Sequence, residues 1–284
     1  MIVEVQNLSK YSGDFCILKD ISFKVETPCV IGLLGKNGAG KSTLMKILTG
    51  LSKKSSGIVH VLGVDPWRDW KKVYSHLGVL FEPRIPKYLT NYEYLKEICI
   101  LRNMDERKIE GTLNLVGLDK SKRKIKDYSF GMCQRLGLAG ALIVEPSILI
   151  LDEPFVGLDP NGIKDLQHSL KELSQKGVLI FISSHQLSEL QGLVDRVLFL
   201  ERGHLKLDCH MDEIPIGKGC RIITSDNAKV VKVLTAKGYD ARVIDEYIEI
   251  EGIEVDKIVS IVSSLGVSLK HIESIENKLE QLFG

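Results

Sequence analysis

The chain has 284 residues, 44% apolar and 26% charged, enough for one large or two ordinary globular domains. Its 38 basic and 37 acidic residues leave a net charge of +1, which excludes nucleic-acid binding driven by bulk charge. Six cysteines (Cys16, Cys29, Cys99, Cys133, Cys209 and Cys220) form no C-x-x-C pair. That pattern argues against a metal cluster or a disulfide framework and for reduced thiols in a cytosolic protein.

The N-terminal Met1-Ile2-Val3-Glu4-Val5 alternates like a strand and lacks the basic start and cleavage site of a signal peptide. No apolar run reaches the roughly 18 residues needed to span a bilayer. Asp20-Ile21-Ser22-Phe23-Lys24-Val25 alternates again, so residues 2–31 read as an antiparallel β-region punctuated at Tyr11-Ser12-Gly13-Asp14.

The apolar run Cys29-Val30-Ile31-Gly32-Leu33-Leu34 reads as a buried strand. It leads into Gly35-Lys36-Asn37-Gly38-Ala39-Gly40-Lys41-Ser42-Thr43, which fits G-x-x-x-x-G-K-[ST] without a gap. Leu44-Met45-Lys46-Ile47-Leu48 then continues at helical spacing. Strand, glycine loop and helix start are the context in which such a loop turns successive N–H groups onto a phosphate. Lys41 is expected to reach the β- and γ-phosphates of a nucleotide, and the Ser42 hydroxyl to ligate Mg²⁺.

Ile58-Val59-His60-Val61-Leu62 reads as a further strand, and Asp65-Pro66-Trp67 as the opening of a short helix. Leu77-Gly78-Val79-Leu80-Phe81 is a buried strand that stops at Glu82-Pro83. Helices are predicted over 92–103 and 105–116, so 85–145 reads as a helical insertion in a central α/β sheet. The apolar Ile148-Leu149-Ile150-Leu151 ends on Asp152 and Glu153. Beside a phosphate loop, Asp152 is expected in the Mg²⁺ shell and Glu153 as the base for an attacking water. A helix over 161–175, a strand over 178–182, a helix over 186–193 and a strand over 196–200 follow. His185, just after the second of these, is placed to bond the γ-phosphate or orient the water.

From about Pro215 no catalytic constellation remains. Strands at 220–224, 240–244, 246–251 and 267–272, with helices at 226–237, 254–264 and 274–283, give a βαββαβ unit of ferredoxin-like type. Gly217-Lys218-Gly219 reads as its linker. The domains are therefore drawn as 1–212 and 213–284, the second as an accessory module for packing or dimerisation.

The ordered motifs of the first part resemble the ATP-binding subunit of an ABC transporter. Gly35 to Thr43 matches the family's Walker A motif, 148–153 its Walker B, Gly157-Leu158-Asp159-Pro160 its D-loop and Ser184-His185 its H-loop. Tyr128-Ser129-Phe130-Gly131-Met132 stands at the signature position, where L-S-G-G-Q is usual. The resemblance covers roughly residues 1–210 and implies a P-loop NTPase core with an antiparallel β-subdomain and an α-helical subdomain.

The resemblance further implies ATP and Mg²⁺ as ligands, with Asn37, Gly38, Ala39, Gly40, Lys41, Ser42 and Thr43 around the phosphates. Tyr11 would stack on adenine. Ser129 and Gly131 would contact the γ-phosphate bound to a second subunit, with Asp159 at that dimer interface. Neither ATP site is then complete in one chain, and the dimer is built either from two copies or from this chain and a close partner. Glu82 stands where the family usually has glutamine, near Mg²⁺ and the γ-phosphate; a carboxylate there adds metal affinity and phosphate repulsion together. Cys133, directly after the signature position, reads as a small buried apolar residue.

Glu82 and the ending Leu279-Glu280-Gln281-Leu282-Phe283 both resemble the drug- and bacteriocin-type exporter subgroup. The implied function is ATP hydrolysis that drives export through a separate polytopic permease, on the cytoplasmic face of the membrane. The competing reading is a soluble ABC ATPase acting on ribosomes or nucleic acid. One cassette, no long heptad stretch and a near-zero charge weigh against it. A cassette that binds ATP without hydrolysing it is opposed by the intact Lys41, Asp152, Glu153 and His185.

Overall fold

The computed structural model describes residues 1–82, 85–186, 189–213, 218–251, 253 and 255–276. The chain divides into two compact units, Met1–Met211 and Asp212–Gly284.

In the first unit β1 (Val3–Ser12) pairs antiparallel with β2 (Phe15–Val25) through a two-residue turn at Gly13-Asp14. β3 (Val30–Leu34) leads to α1 (Lys41–Leu48), and β4 (Ser56–Val61) returns to pair with β1. The resulting sheet, β2-β1-β4, is the expected antiparallel β-region. A short α2 (Trp70–Tyr74) precedes β5 (Leu77–Leu80). Three helices follow: α3 (Asn91–Arg102), α4 (Lys108–Leu115) and α5 (Phe130–Leu142). Then come β6 (Ile148–Leu151), α6 (Pro160–Gln175), β7 (Leu179–Ser184), β8 (Arg196–Glu201) and β9 (His204–His210).

The central sheet has the order β5-β6-β7-β3-β8-β9, parallel except for β9 at its edge. All residues of β3, β6 and β7 are buried, as continuous apolar runs inside a covered parallel sheet must be. The core joins both sheets: Phe23 of β2 and Phe181 of β7 stack at a tilt, ring centroids 6.4 Å apart. The helical insertion starts sharply because Thr90 and Glu93 form a reciprocal cap. Thr90 Oγ1 accepts from the Glu93 N–H at 3.2 Å, and Glu93 Oε2 accepts from the Thr90 N–H at 2.7 Å.

The first unit corrects two expectations and adds a strand. Residues 66–68 form a turn in which Asp65 Oδ1 accepts from the Trp67 and Arg68 N–H groups, so α2 starts only at Trp70. In place of a helix over 186–193, residues 189–193 are turns. The Ser184 hydroxyl accepts from the Gln186 N–H, and Gly192 adopts φ +71°, both of which divert the backbone from a helix. Strand β9 was not read from the sequence. It is joined to β8 by Arg202-Gly203, both at positive φ, the two-residue turn that suits a twisted hairpin.

The second unit runs β10 (Lys218–Thr224), α7 (Asn227–Ala236), β11 (Asp240–Ile244), β12 (Tyr247–Glu251), α8 (Val255–Ser264) and β13 (Leu269–Glu276). Its antiparallel sheet, β11-β12-β10-β13, carries the expected βαββαβ order. Cys220, Ile222, Ile248 and Ile250 meet Val230, Leu234 and Ile258 in a separate core. Strand β13 continues through 274–276, where a helix was expected to begin, because those residues complete the ladder with β10. The remainder of that predicted helix and the 279–283 tail lie outside the described residues.

Candidate active site

Strand β3 delivers the chain to the phosphate loop at the C-terminal edge of the central sheet, where ligands of parallel sheets sit. Gly40 caps α1 at φ +105°, and a Cβ there would lie 2.6 Å from Leu18 Cδ2, so the tight turn requires glycine. No side chain caps α1, which leaves its first N–H groups to a ligand. A groove of about 480 Å³ opens over the loop, lined by Ser12, Phe15, Ile17, residues 36–43 and Glu153. Asn37, Gly38, Ala39, Gly40, Lys41, Ser42 and Thr43 are thus all at its wall.

Lys41 is buried, and its ammonium donates to the Gly35 carbonyl at 2.6 Å. It also lies 3.5 Å from Glu153 Oε1. The other carboxylate oxygen, Oε2, is 2.8 Å from Nδ1 of His185. Glu153 therefore bridges the phosphate-loop lysine and the histidine that follows β7. Asp152 sits beside it at the end of β6, where its Oδ1 accepts from the Ser183 hydroxyl at 2.6 Å. Ser183 in turn accepts from the Glu153 N–H at 2.9 Å.

The oxygen donors Ser42 and Asp152 suit a hard cation. Among the described residues no cluster of three His, Cys, Asp or Glu side chains could hold a metal. Mg²⁺ takes one or two protein oxygens and completes its shell with phosphates and water, and the Ser42 hydroxyl and Asp152 carboxylate are donors of that kind. Asp152 and His185 do not line the groove themselves and join it through Glu153, whereas Glu82, the third expected ligand, is exposed after β5 and is also absent from the lining.

Tyr11 is half exposed near the end of β1, and it too is absent from the lining. It pairs with Cys16, whereas Ser12 and Phe15 pair with each other and both line the groove. The aromatic side chain at the groove is therefore Phe15, 72% exposed. Sequence reasoning passed over it. The alternation of Phe15 and Ile17 along β2 was the available signal.

Ser129, Gly131 and Asp159 also lie away from this groove. Ser129 caps α5, its Oγ accepting from the Met132 N–H at 3.3 Å. Asp159 stands at the start of α6, with Oδ1 3.4 Å from Nη2 of Arg135. Gly131 backs onto Gly157, so the start of α5 and the loop before α6 pack as one surface. Cys133 is half-buried there, and burial raises its thiol pKa above the ordinary value.

Comparison with known proteins points to a family. Residues 18–156 match the family model described as "ABC transporter". The chain is 40% identical over 217 residues to the bacitracin transport ATP-binding protein BcrA of Enterococcus faecalis, covering 75% of this chain and 70% of that protein. It is 41% identical over 214 residues to the lantibiotic transport ATP-binding protein SrtF of Streptococcus pyogenes, covering 74% of this chain and 92% of that one. A solved ATP-binding subunit of an ABC transporter superposes with a TM-score of 0.69 at 28% identity, over 76% of this chain and 92% of the other. With the phosphate loop, the Asp152-Glu153 pair and His185 gathered at one sheet edge, the chain belongs to the ATP-binding subunits of ABC transporters, a family of ATPases.

Proposed function

We propose that this subunit hydrolyses MgATP to drive export through a separate membrane permease, and that two ATP-binding subunits close on each other to do so. The observation that carries the reading is Glu153 held between Lys41 and His185 at the phosphate groove. The phosphates of ATP take the loop's N–H groups and the Lys41 ammonium. Mg²⁺, held by Ser42 and Asp152, would neutralise charge on the phosphate oxygens. Glu153 accepts a proton from the water whose oxygen bonds to the γ-phosphorus as the bond to the ADP oxygen breaks. His185 fixes the Glu153 carboxylate and faces the γ-phosphate. Phe15 stacks on the base in the role the resemblance gave to Tyr11. Ser129 and Gly131 serve the ATP of the opposite subunit, with Asp159 at the seam.

Residues 1–212 form the ATPase domain in this reading, and 213–284 an accessory domain. No described helix is long and apolar enough to cross a membrane. The subunit docks on the cytoplasmic face of the membrane through Glu82 and the 85–127 segment, where Tyr88, Ile100 and Leu101 are exposed. Relatives named for bacitracin and lantibiotic transport favour a drug- or bacteriocin-type exporter over a ribosome-bound ATPase.

The test is purification of the full chain from membranes of its own cells. A polytopic permease should co-purify and MgATP should be hydrolysed, with Glu153→Gln retaining ATP binding and losing turnover. Recovery with ribosomes alone would overturn the transport reading.

A further inference from the structure

Glu153 holds a backbone φ of +49°, in the left-handed region that side chains other than glycine avoid. It also precedes Pro154, and a residue before proline favours extended backbone. Two buried side chains hold it there. The Ser183 hydroxyl accepts from its N–H at 2.9 Å, and Gln134 Nε2 donates to its carbonyl at 3.2 Å. Ser183 is fully buried and Gln134 is 4% exposed.

We propose that Gln134 and Ser183 are positioning residues for ATP hydrolysis. Together they clamp the Glu153 backbone so that its carboxylate faces Lys41 and His185, and Gln134 ties that clamp to α5. The inference rests on the reading of Glu153 as the base.

Gln134 is not explained as filler. Its Oε1 is buried with no hydrogen-bond partner among the described residues. An unpaired buried oxygen is unfavourable, and an apolar side chain of the same size would avoid it. The amide is used through Nε2, on Glu153. Ser129 caps helix α5 five residues before Gln134, and Arg135 next to Gln134 reaches Asp159. A shift of α5 along its axis therefore changes the bond to the Glu153 carbonyl. The start of α5 and the readiness of the base are linked by one side chain. Ser183 adds a second link, since the same hydroxyl donates to Asp152 Oδ1 and sets both carboxylate residues together.

The experiment uses the full chain in the assembly that hydrolyses MgATP. Gln134→Met keeps the volume and removes the donor; Ser183→Ala removes the hydroxyl and Ser183→Thr keeps one. Turnover, binding of the non-hydrolysable analogue AMP-PNP and melting temperature are measured for each. The expected result is a kcat lowered tenfold or more in Gln134→Met and Ser183→Ala. AMP-PNP affinity should stay within twofold, melting should be unchanged, and Ser183→Thr should recover most of the rate. A kcat within twofold of the parent in both variants overturns the clamp. So does a loss of kcat that runs in parallel with lost affinity and lowered melting temperature. If Glu153→Gln is inactive while both variants turn over normally, only the clamp fails; if Glu153→Gln turns over normally, the base role itself fails.

Discussion

Oε2 of Glu153 lies 2.8 Å from Nδ1 of His185, across the gap between the ends of β6 and β7. Through this bond the imidazole orients the carboxylate. Removing it should impair the reaction more than binding. His185→Ala is expected to lower kcat by about 10²-fold, the lower range for losing a group that acts with a general base. ATP affinity should change less than threefold, because Lys41 and the loop N–H groups remain. Steady-state hydrolysis and equilibrium ATP binding on the same preparation check this. An unchanged kcat would take His185 out of the site.

Phe15 and Tyr11 make separable predictions about the base. Stacking of a nucleobase on an aromatic ring is worth about 1–3 kcal/mol by alanine substitution. Phe15→Ala should therefore weaken ATP binding by about 5- to 150-fold, with little effect on the rate at saturation. Tyr11→Ala should leave affinity near the parent value, since Tyr11 lies outside the groove lining. Calorimetric titration with ATP in a Glu153→Gln background decides between them. A loss confined to Tyr11→Ala would restore the assignment that the family resemblance gave.

These two aromatic residues show where sequence reading stops. The phosphate loop is legible because its chemistry is local: glycines, lysine and hydroxyl stand within nine residues. The ends of β6 and β7 are legible because apolar runs stop abruptly on Asp152, Glu153 and His185. The face of β2 that turns to the loop is not, because it depends on the pairing of Phe15 with Ser12 across an irregular register. The hold of Gln134 on Glu153 joins residues 19 apart on different elements, and only packing brings them together. Strand β9, by contrast, does carry a legible signal, the period-two alternation of His204, Lys206 and Asp208 with Leu205 and Leu207.

The seam between the start of α5 and the loop before α6 has no room for a side chain. A Cβ on Gly131 would lie 2.6 Å from the Gly157 carbonyl oxygen. One on Gly157, which adopts φ +78°, would lie 2.5 Å from Phe130 Cδ1. Gly157→Ala combines steric overlap with a conformation that alanine resists and should destabilise the first unit by about 1–3 kcal/mol. Melting should fall by about 2–12 °C at the usual conversion for a unit of this size. Gly111→Ala is the control: it sits inside α4 with open space around its Cβ position, and it should hold or raise the melting temperature. Equal melting of the two variants would show that the seam tolerates a methyl group.

The second unit carries a pH signature of its own. Cys220, on the core face of β10, is fully buried, and burial pushes its thiol from 9.0 up to about 11. The raised value means that the folded state keeps its proton where the unfolded chain has lost it. Stability from this group is fully present below about pH 9 and declines as pH rises toward about 11. A shift of this size corresponds to about 2–3 kcal/mol across that window. Cys220→Ala removes the titration at the cost of some packing, so the variant should be the less stable protein at pH 8. Its deficit should then shrink, or reverse, by pH 11. Urea unfolding of both proteins at pH 8, 9, 10 and 11, followed by far-ultraviolet circular dichroism, measures the gap. A gap that stays constant with pH would show that Cys220 does not titrate differently in the folded and unfolded states.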